Sequence, residues 1–171
     1  EKKINRRKFI GSAATASLAF TIVPRHVIGG PSFIPPSGKL TIAYIGCGTQ
    51  GMREMVDLIT NPKVQIVTVC DPNKLSTDYI DWSADGIRNG IRKALGDSSW
   101  GQGYNGIPGG RDIGQEFVNK YYSKDKDSIF KGCTSYVDFR ELLEKQKDID
   151  ACKIMTPDHL HATVSIAAMK K

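Results

Sequence analysis

Nowhere does the sequence carry an apolar run long enough to cross a bilayer comfortably; the best stretch, Phe9 to Val23, is weakly apolar and broken by Ser and Thr. Cysteine is scarce. Cys47, Cys70, Cys133 and Cys152 form no compact framework, which argues against a disulfide-stapled scaffold, and they read as buried or loop thiols. Histidine is scarcer, with three in 171 residues. His159 and His161 stand two apart beside Asp158, on different faces of a helix start, and no Cys or Glu completes a ligand set, so no metal is expected. Basic charge is also missing where a polyanion would need it. Of 24 Lys and Arg, seven fall in residues 1–39 against Glu1 alone, and the remainder sets 17 basic residues against 17 acidic ones. A net charge of +6 confined in this way offers no broad basic face, and no nucleic-acid partner is expected.

The basic N-terminal segment reads instead as an address. Its charged start and short apolar stretch have the layout of a signal peptide, and Asn5-Arg6-Arg7-Lys8-Phe9-Ile10-Gly11 resembles the twin-arginine export motif. The Arg pair and Phe are in place, while Asn, Ile and Gly replace the usual Ser, Leu and Lys. A basic disordered tail is the alternative. No clear A-x-A cleavage site follows. Gly29 to Gly38, rich in Gly and Pro, reads as a linker. The expectation is a leader and linker over residues 1–38, export to the periplasm in the folded state, and no membrane association beyond the leader.

From Lys39 the pattern is α/β. Leu40 to Ile45 is β-prone; Met52, Met55, Val56 and Ile59 recur at helical spacing until Asn61-Pro62; Val64 to Cys70 is a near-continuous apolar strand of the parallel, doubly covered kind. Strand, helix, strand at this length is a βαβ unit. Ile80, Ala84, Ile87, Ile91 and Leu95 mark one face of a further helix, Ser98 to Gly110 is glycine-rich, and Ile113 to Tyr122 is a helix. The stretch from Asn73 to Gly132 reads as an insertion. It is expected to form a helix and a Gly-rich surface loop near a substrate or partner edge, without adding a core layer, with Trp100 and Tyr104 free to stack on a sugar, dock a subunit or pin the loop. Thr134 to Val137 is a third strand, Asp138 to Glu141 has capping-box spacing at the start of a helix through Gln146, and Ala151 to Met155 is a fourth strand. Leu160, Val164, Ala167 and Ala168 share a helix face with no stop signal before Lys171, the pattern expected of a truncated domain.

Gly46-Cys47-Gly48-Thr49-Gln50-Gly51 is G-x-G-x-x-G placed directly after a strand and at the start of a helix. In that setting Gly46 permits the tight turn, Gly48 admits a pyrophosphate to the backbone, and Gly51 lets helix and strand pack closely, with free helix N–H groups facing the anion. Asp71 lies twenty positions past Gly51 at the end of the next strand, where its carboxylate can accept both ribose hydroxyls of an adenosine. The alternatives are a turn whose glycines serve packing only, and S-adenosylmethionine, which lacks a pyrophosphate. An ionised Asp71 repels a 2′-phosphate and favours NAD over NADP, although Lys74 is close enough in sequence to compensate.

Thr156-Pro157-Asp158-His159-Leu160-His161-Ala162 follows the fourth strand, at the edge of a parallel sheet where ligands bind. With the Gly turn, Asp71 and the Ala-rich helix that follows, the stretch from Lys39 to Lys171 resembles the N-terminal domain of the Gfo/Idh/MocA oxidoreductases, apart from the long segment between Asn73 and Gly132. Thr156, Pro157 and His161 match that family's T-P-x-x-x-H. The resemblance implies a Rossmann-type doubly wound sheet with the loop after the fourth strand bordering the nicotinamide. It also implies a catalytic lysine in an E-K-P-like motif beyond Lys171 and a separate C-terminal substrate domain, neither of which this sequence contains. Lys170 and Lys171 belong to the preceding helix. For the full-length protein it implies a homo-oligomer transferring hydride between NAD and a carbinol or carbonyl carbon of a small sugar or cyclitol. An NAD-dependent glycosidase using transient oxidation, and a non-catalytic nucleotide-binding protein, are the alternatives.

Overall fold

The computed structural model describes residues 34–35, 38–125 and 130–171. The leader reading, and most of the linker reading, lie outside the described residues. Four parallel strands, β1 (Leu40–Ile45), β2 (Val64–Cys70), β5 (Thr134–Tyr136) and β6 (Ala151–Ile154), form one sheet in the order β5-β2-β1-β6. Taken in chain order these are strands 3-2-1-4, the order of a Rossmann half-sheet with its reversal beside β1. Among the described residues the helices are α1 (Thr49–Ile59), α2 (Gly86–Leu95), α3 (Arg111–Tyr122), α4 (Phe139–Lys145) and α5 (Asp158–Met169), and a short antiparallel pair, β3 (Ser76–Tyr79) with β4 (Ile107–Gly109), stands apart from the sheet. Among the described residues no helix is long and apolar enough to cross a membrane.

Period-2 alternation splits β1 between two cores. Ile42 and Tyr44 face the cluster built with Met52, Met55, Ile59 and Phe117, whereas Ala43 and Ile45 face Leu142, Leu143 and Val164. The sheet is therefore covered on both sides, by α1 and α3 on one and by α4 and α5 on the other, which explains why its strands read as apolar runs. The α1 face is the i, i+3, i+7 set Met52, Met55 and Ile59, each essentially fully buried. Burying side chains of this size contributes roughly 1.5–3 kcal/mol apiece. The helix stops at Thr60, two residues before Pro62, whose ring disfavours helical backbone in the residue before it. Register slips between Ile42 and Ala43, which pair with Ile66 and Thr68, so β2 carries a bulge at Val67. Beside it the Ile66 N–H donates to the buried Tyr122 hydroxyl at 3.1 Å.

The stretch after β2 departs from its sequence reading in two ways. The helix begins at Gly86, not near Ile80: Ile80 is 77% exposed, and Ala84 and Asp85 take left-handed φ values of 46° and 65°. The Asp81 carboxylate accepts from the Ser83 and Ile87 N–H groups, and this local bonding holds a turn where the apolar spacing alone suggests helix. Residues 76–79 are a strand instead. The expected helix and exposed Gly-rich stretch are present, but the insertion does not stay out of the core. Ile87, Ile91, Leu95, Trp100 and Ile107 are buried in the same core cluster as Met52 and Met55, so the segment adds a layer over α1 and α3. Two of its glycines serve close packing: a Cβ on Gly106 would lie 2.5 Å from the Asp78 carbonyl carbon, and one on Gly109 would lie 2.7 Å from the Tyr79 ring. Trp100 is 6% exposed with its carbonyl held by Arg92 Nε at 2.9 Å, so its role is to pin its own domain.

Candidate functional site

At the carboxyl ends of the four sheet strands lies a cleft of about 770 Å³, with Asp71 on one wall and the Thr156 loop on another. Gly46, Gly48, Thr49, Gln50, Gly51, Asp71, Thr156, Pro157 and His161, named from the sequence, all line it. Cys47 belongs to the turn but not to the cleft lining: its side chain is fully buried on the α3 side, where a Cβ on Gly114 would come within 2.7 Å of its sulfur. Burial, followed by the nearby Asp71 carboxylate, pushes the Cys47 thiol well above its ordinary pKa. Its contribution to the site is its backbone.

The three glycines divide by cause. Gly46 sits at φ +102°, and a Cβ there would lie 2.4 Å from the Met155 carbonyl oxygen. A Cβ on Gly51 would lie 2.2 Å from the Gly46 carbonyl oxygen. Both are glycine because the chain passes itself too closely for anything else. Gly48 has φ −76°, and a Cβ there would meet only the Tyr79 side chain, at an ordinary 3.9 Å from the ring and 4.0 Å from the hydroxyl. Nothing inside the protein requires glycine at 48. Gly48 is also the N-cap of α1, with no side-chain cap and no carboxylate in the first helical turn, so the helix end presents uncompensated N–H groups at the cleft. Tyr44, fully buried in β1, donates its hydroxyl to the Gly51 carbonyl at 2.7 Å and ties the helix start to the sheet; burial raises its pKa far above the usual phenol value.

Asp71 is 7% exposed and both of its oxygens are engaged. Oδ2 accepts from the Cys47 N–H at 2.6 Å and Oδ1 from the Asn73 N–H at 2.8 Å. An ionised carboxylate has about four acceptor sites, so each oxygen can take a further donor from the cleft. Lys74, the suggested counter-charge for a 2′-phosphate, is not on the cleft wall; it lies 4.0 Å from Asp112 instead. Among the described residues Arg140 is a cation that lines the cleft, its guanidinium 4.6 Å over the Phe139 ring.

Across the cleft, Thr156 Oγ1 is buried without a hydrogen-bond partner. His161 Nε2 lies 2.6 Å from the Thr156 carbonyl. A carbonyl can only accept, so Nε2 is the protonated nitrogen, and His161 acts locally as a brace for the loop it belongs to. His159 makes no such contact, and among the described residues no group of His, Cys, Asp and Glu could hold a metal.

Sequence reading missed the wall between β5 and α4, where Val137, Asp138, Phe139 and Arg140 line the cleft. Their position at the carboxyl end of a parallel strand was the available signal. It also missed Tyr79, whose strand is hidden inside a stretch read as the approach to a helix.

Fold and cleft together define a Rossmann-type α/β domain with a cleft at its topological switch point. No family model matches the sequence, and no curated protein matches it. Among solved structures it is similar to a myo-inositol dehydrogenase from Corynebacterium glutamicum, with 16% identity and a TM-score of 0.41, over 77% of this chain and 25% of that one. This chain thus spans about a quarter of the length of that protein. The fold assignment rests on the strand order and not on this likeness.

Proposed function

We propose that the domain binds NAD in this cleft and is the nucleotide-binding part of an oxidoreductase of the Gfo/Idh/MocA kind, acting on a sugar, cyclitol or related carbinol. The observation that carries the reading is Gly48. It is the one glycine of the motif whose missing side chain the fold does not need, and it leaves the uncapped end of α1 open to an anion. The residues present fit such a group: the α1 N–H groups would hold the pyrophosphate, Asp71 the adenosine ribose hydroxyls, and the orphaned Thr156 hydroxyl supplies a polar contact at the opposite wall. When bound, the nicotinamide would supply the hydride donor or acceptor, and the chain's own work is binding and orientation.

The division of labour follows from charge. Asp71 already draws the Gly turn against the end of β2, so the group that recognises ribose also sets the turn. Its carboxylate disfavours a 2′-phosphate, which supports NAD as the preferred form. Among the described residues no lysine lines the cleft, and the proton-transfer group is proposed to come from outside them, as is the substrate domain. Assembly of the full-length protein as a homo-oligomer, and export by the twin-arginine route through Arg6 and Arg7, are proposed on the sequence resemblances alone.

The test is calorimetric titration of the full chain with NAD and with NADP. NAD should bind more tightly, and Gly48→Val should abolish that binding while leaving the chain folded. Undiminished NAD affinity in Gly48→Val would overturn the reading.

A further inference from the structure

We propose that Tyr79, supplied by the insertion, is a further anion-binding residue of the cleft, its hydroxyl donating to the pyrophosphate held at the Gly48 turn; this rests on the reading of the cleft given above. Tyr79 lies at the end of β3 and lines the cleft beside Gly48, with its hydroxyl oxygen 4.0 Å from where a Gly48 Cβ would sit. That oxygen accepts from Asn73 Nδ2 at 2.9 Å. A phenol that accepts in this way retains its own hydrogen, and among the described residues no acceptor takes it. The group beside the uncapped helix end is therefore a donor with its donor function unspent.

The insertion is arranged to seat this ring. Strand β4 pairs with β3 so that Tyr79 stands opposite Ile107, and Gly109 has no side chain at the place where a Cβ would come within 2.7 Å of the Tyr79 ring. The Gly110 N–H donates to the Cys47 carbonyl at 2.8 Å, which fastens the end of β4 directly to the glycine turn. Asn73, which steadies the hydroxyl, is itself held by Asp71 Oδ1. Tyr79, Asn73, Asp71 and the Cys47 backbone thus form one connected set around the turn. This gives the insertion a task at the nucleotide and not only in the core: it carries a neutral side-chain donor to the glycine turn, beside the backbone N–H groups of the helix end. A tyrosine is suited to it, because the donor adds no charge that would have to be neutralised when the cleft is empty.

Tyr79→Phe removes the hydroxyl and keeps the ring, so the comparison isolates the hydrogen bond. The full chain and this variant are titrated with NAD, ADP-ribose and adenosine. Affinity for NAD and for ADP-ribose should fall roughly tenfold to a hundredfold, the factor carried by one hydrogen bond to an ionised acceptor. Adenosine affinity and the thermal midpoint should not move. ADP-ribose binding that is unchanged in Tyr79→Phe, or an equal loss for adenosine, would overturn the role of Tyr79 while leaving the cleft reading intact. Absence of NAD and ADP-ribose binding in the unmodified chain would overturn the cleft reading, and the Tyr79 role with it.

Discussion

Asp71 Oδ2 accepts a 2.6 Å hydrogen bond from the backbone N–H of Cys47, joining the end of β2 to the glycine turn that follows β1. The second oxygen of the same buried carboxylate accepts from Asn73, so the side chain bonds to its own loop and to a loop 24 residues away in sequence. Asp71→Asn keeps one acceptor oxygen but presents the other N–H donor with an –NH2 group that can only donate. Such a buried mismatch costs about 1–3 kcal/mol. Urea unfolding should show the unfolding free energy lowered by that amount and the midpoint lowered with it, with NAD and NADP binding both weakened because the turn itself shifts. An unchanged midpoint would mean that the carboxylate does not hold the turn. For the same reason Asp71→Ser is a poor probe of cofactor preference, since it removes both bonds at once.

The glycines allow a sharper separation of folding from binding. Gly46→Ala must adopt φ +102° with its Cβ against the Met155 carbonyl, and Gly51→Ala must push aside the Gly46 carbonyl at 2.2 Å. Both should lower the melting temperature, as buried overpacking against backbone does, at a cost of about 1–3 kcal/mol or more. Gly48→Ala makes only ordinary contacts and should lose only the roughly 1 kcal/mol of a poorer N-cap. Thermal melts of the three variants check this directly. Equal destabilisation by all three would leave Gly48 as one more packing glycine.

How much of this was legible beforehand depends on whether a residue's partners were near it in sequence. Strands β1 and β2 and the helix between them follow from local apolar periodicity, and their ends fall where Gly46, Pro62 and Asp71 place them. The cleft residues were legible because a parallel sheet brings its strand ends to one edge, so Thr156 and Asp71 share a cleft despite their separation. What was not legible depends on long-range contact. Gly106 and Gly109 look like loop glycines until Asp78 and Tyr79 pack against them. Ile80 fits a helical stripe until the Asp81 carboxylate turns the chain. Lys74 is close to Asp71 in sequence, yet Asp112 draws it elsewhere.

The cysteines yield a chemical test of the burial pattern. Cys70 and Cys133 are pushed up to about 12, chiefly by burial, and Cys47 is raised as well. At pH 8 a thiol titrating near 12 is thiolate in roughly one part in ten thousand, and the thiolate is the reactive form. Cys152, on edge strand β6, is also raised by burial but is only half-buried. Iodoacetamide on the native chain should therefore label Cys152 first, with the other three labelled only after denaturation, as mass spectrometry of the digested protein would show. Early labelling of Cys47 would contradict its place between α3 and the glycine turn.

Asp81 fastens the insertion to the rest of the domain, and its contribution should carry a pH signature. Its Oδ1 accepts from Arg53 on α1 at 3.0 Å and from the Ser83 N–H at 2.9 Å, while Oδ2 takes the Ile87 N–H in the first turn of α2. Burial alone would raise this carboxyl, but the hydrogen bonds from Ser83 and Ile87 and the charge of Arg53 outweigh it and hold the group below the usual 3.8. A carboxyl depressed in the folded state stabilises fully above its unfolded value and loses that contribution as pH falls through its folded one. Asp81→Ala should cost about 1–3 kcal/mol at neutral pH, since it strands the Ile87 N–H and leaves Arg53 without its carboxylate. The gap between the two proteins should stay constant at neutral and mildly acidic pH and close only below 3.8. Urea unfolding at a series of pH values measures it, and a gap that narrowed instead on the alkaline side would show that Arg53 and Asp81 do not hold the insertion in place.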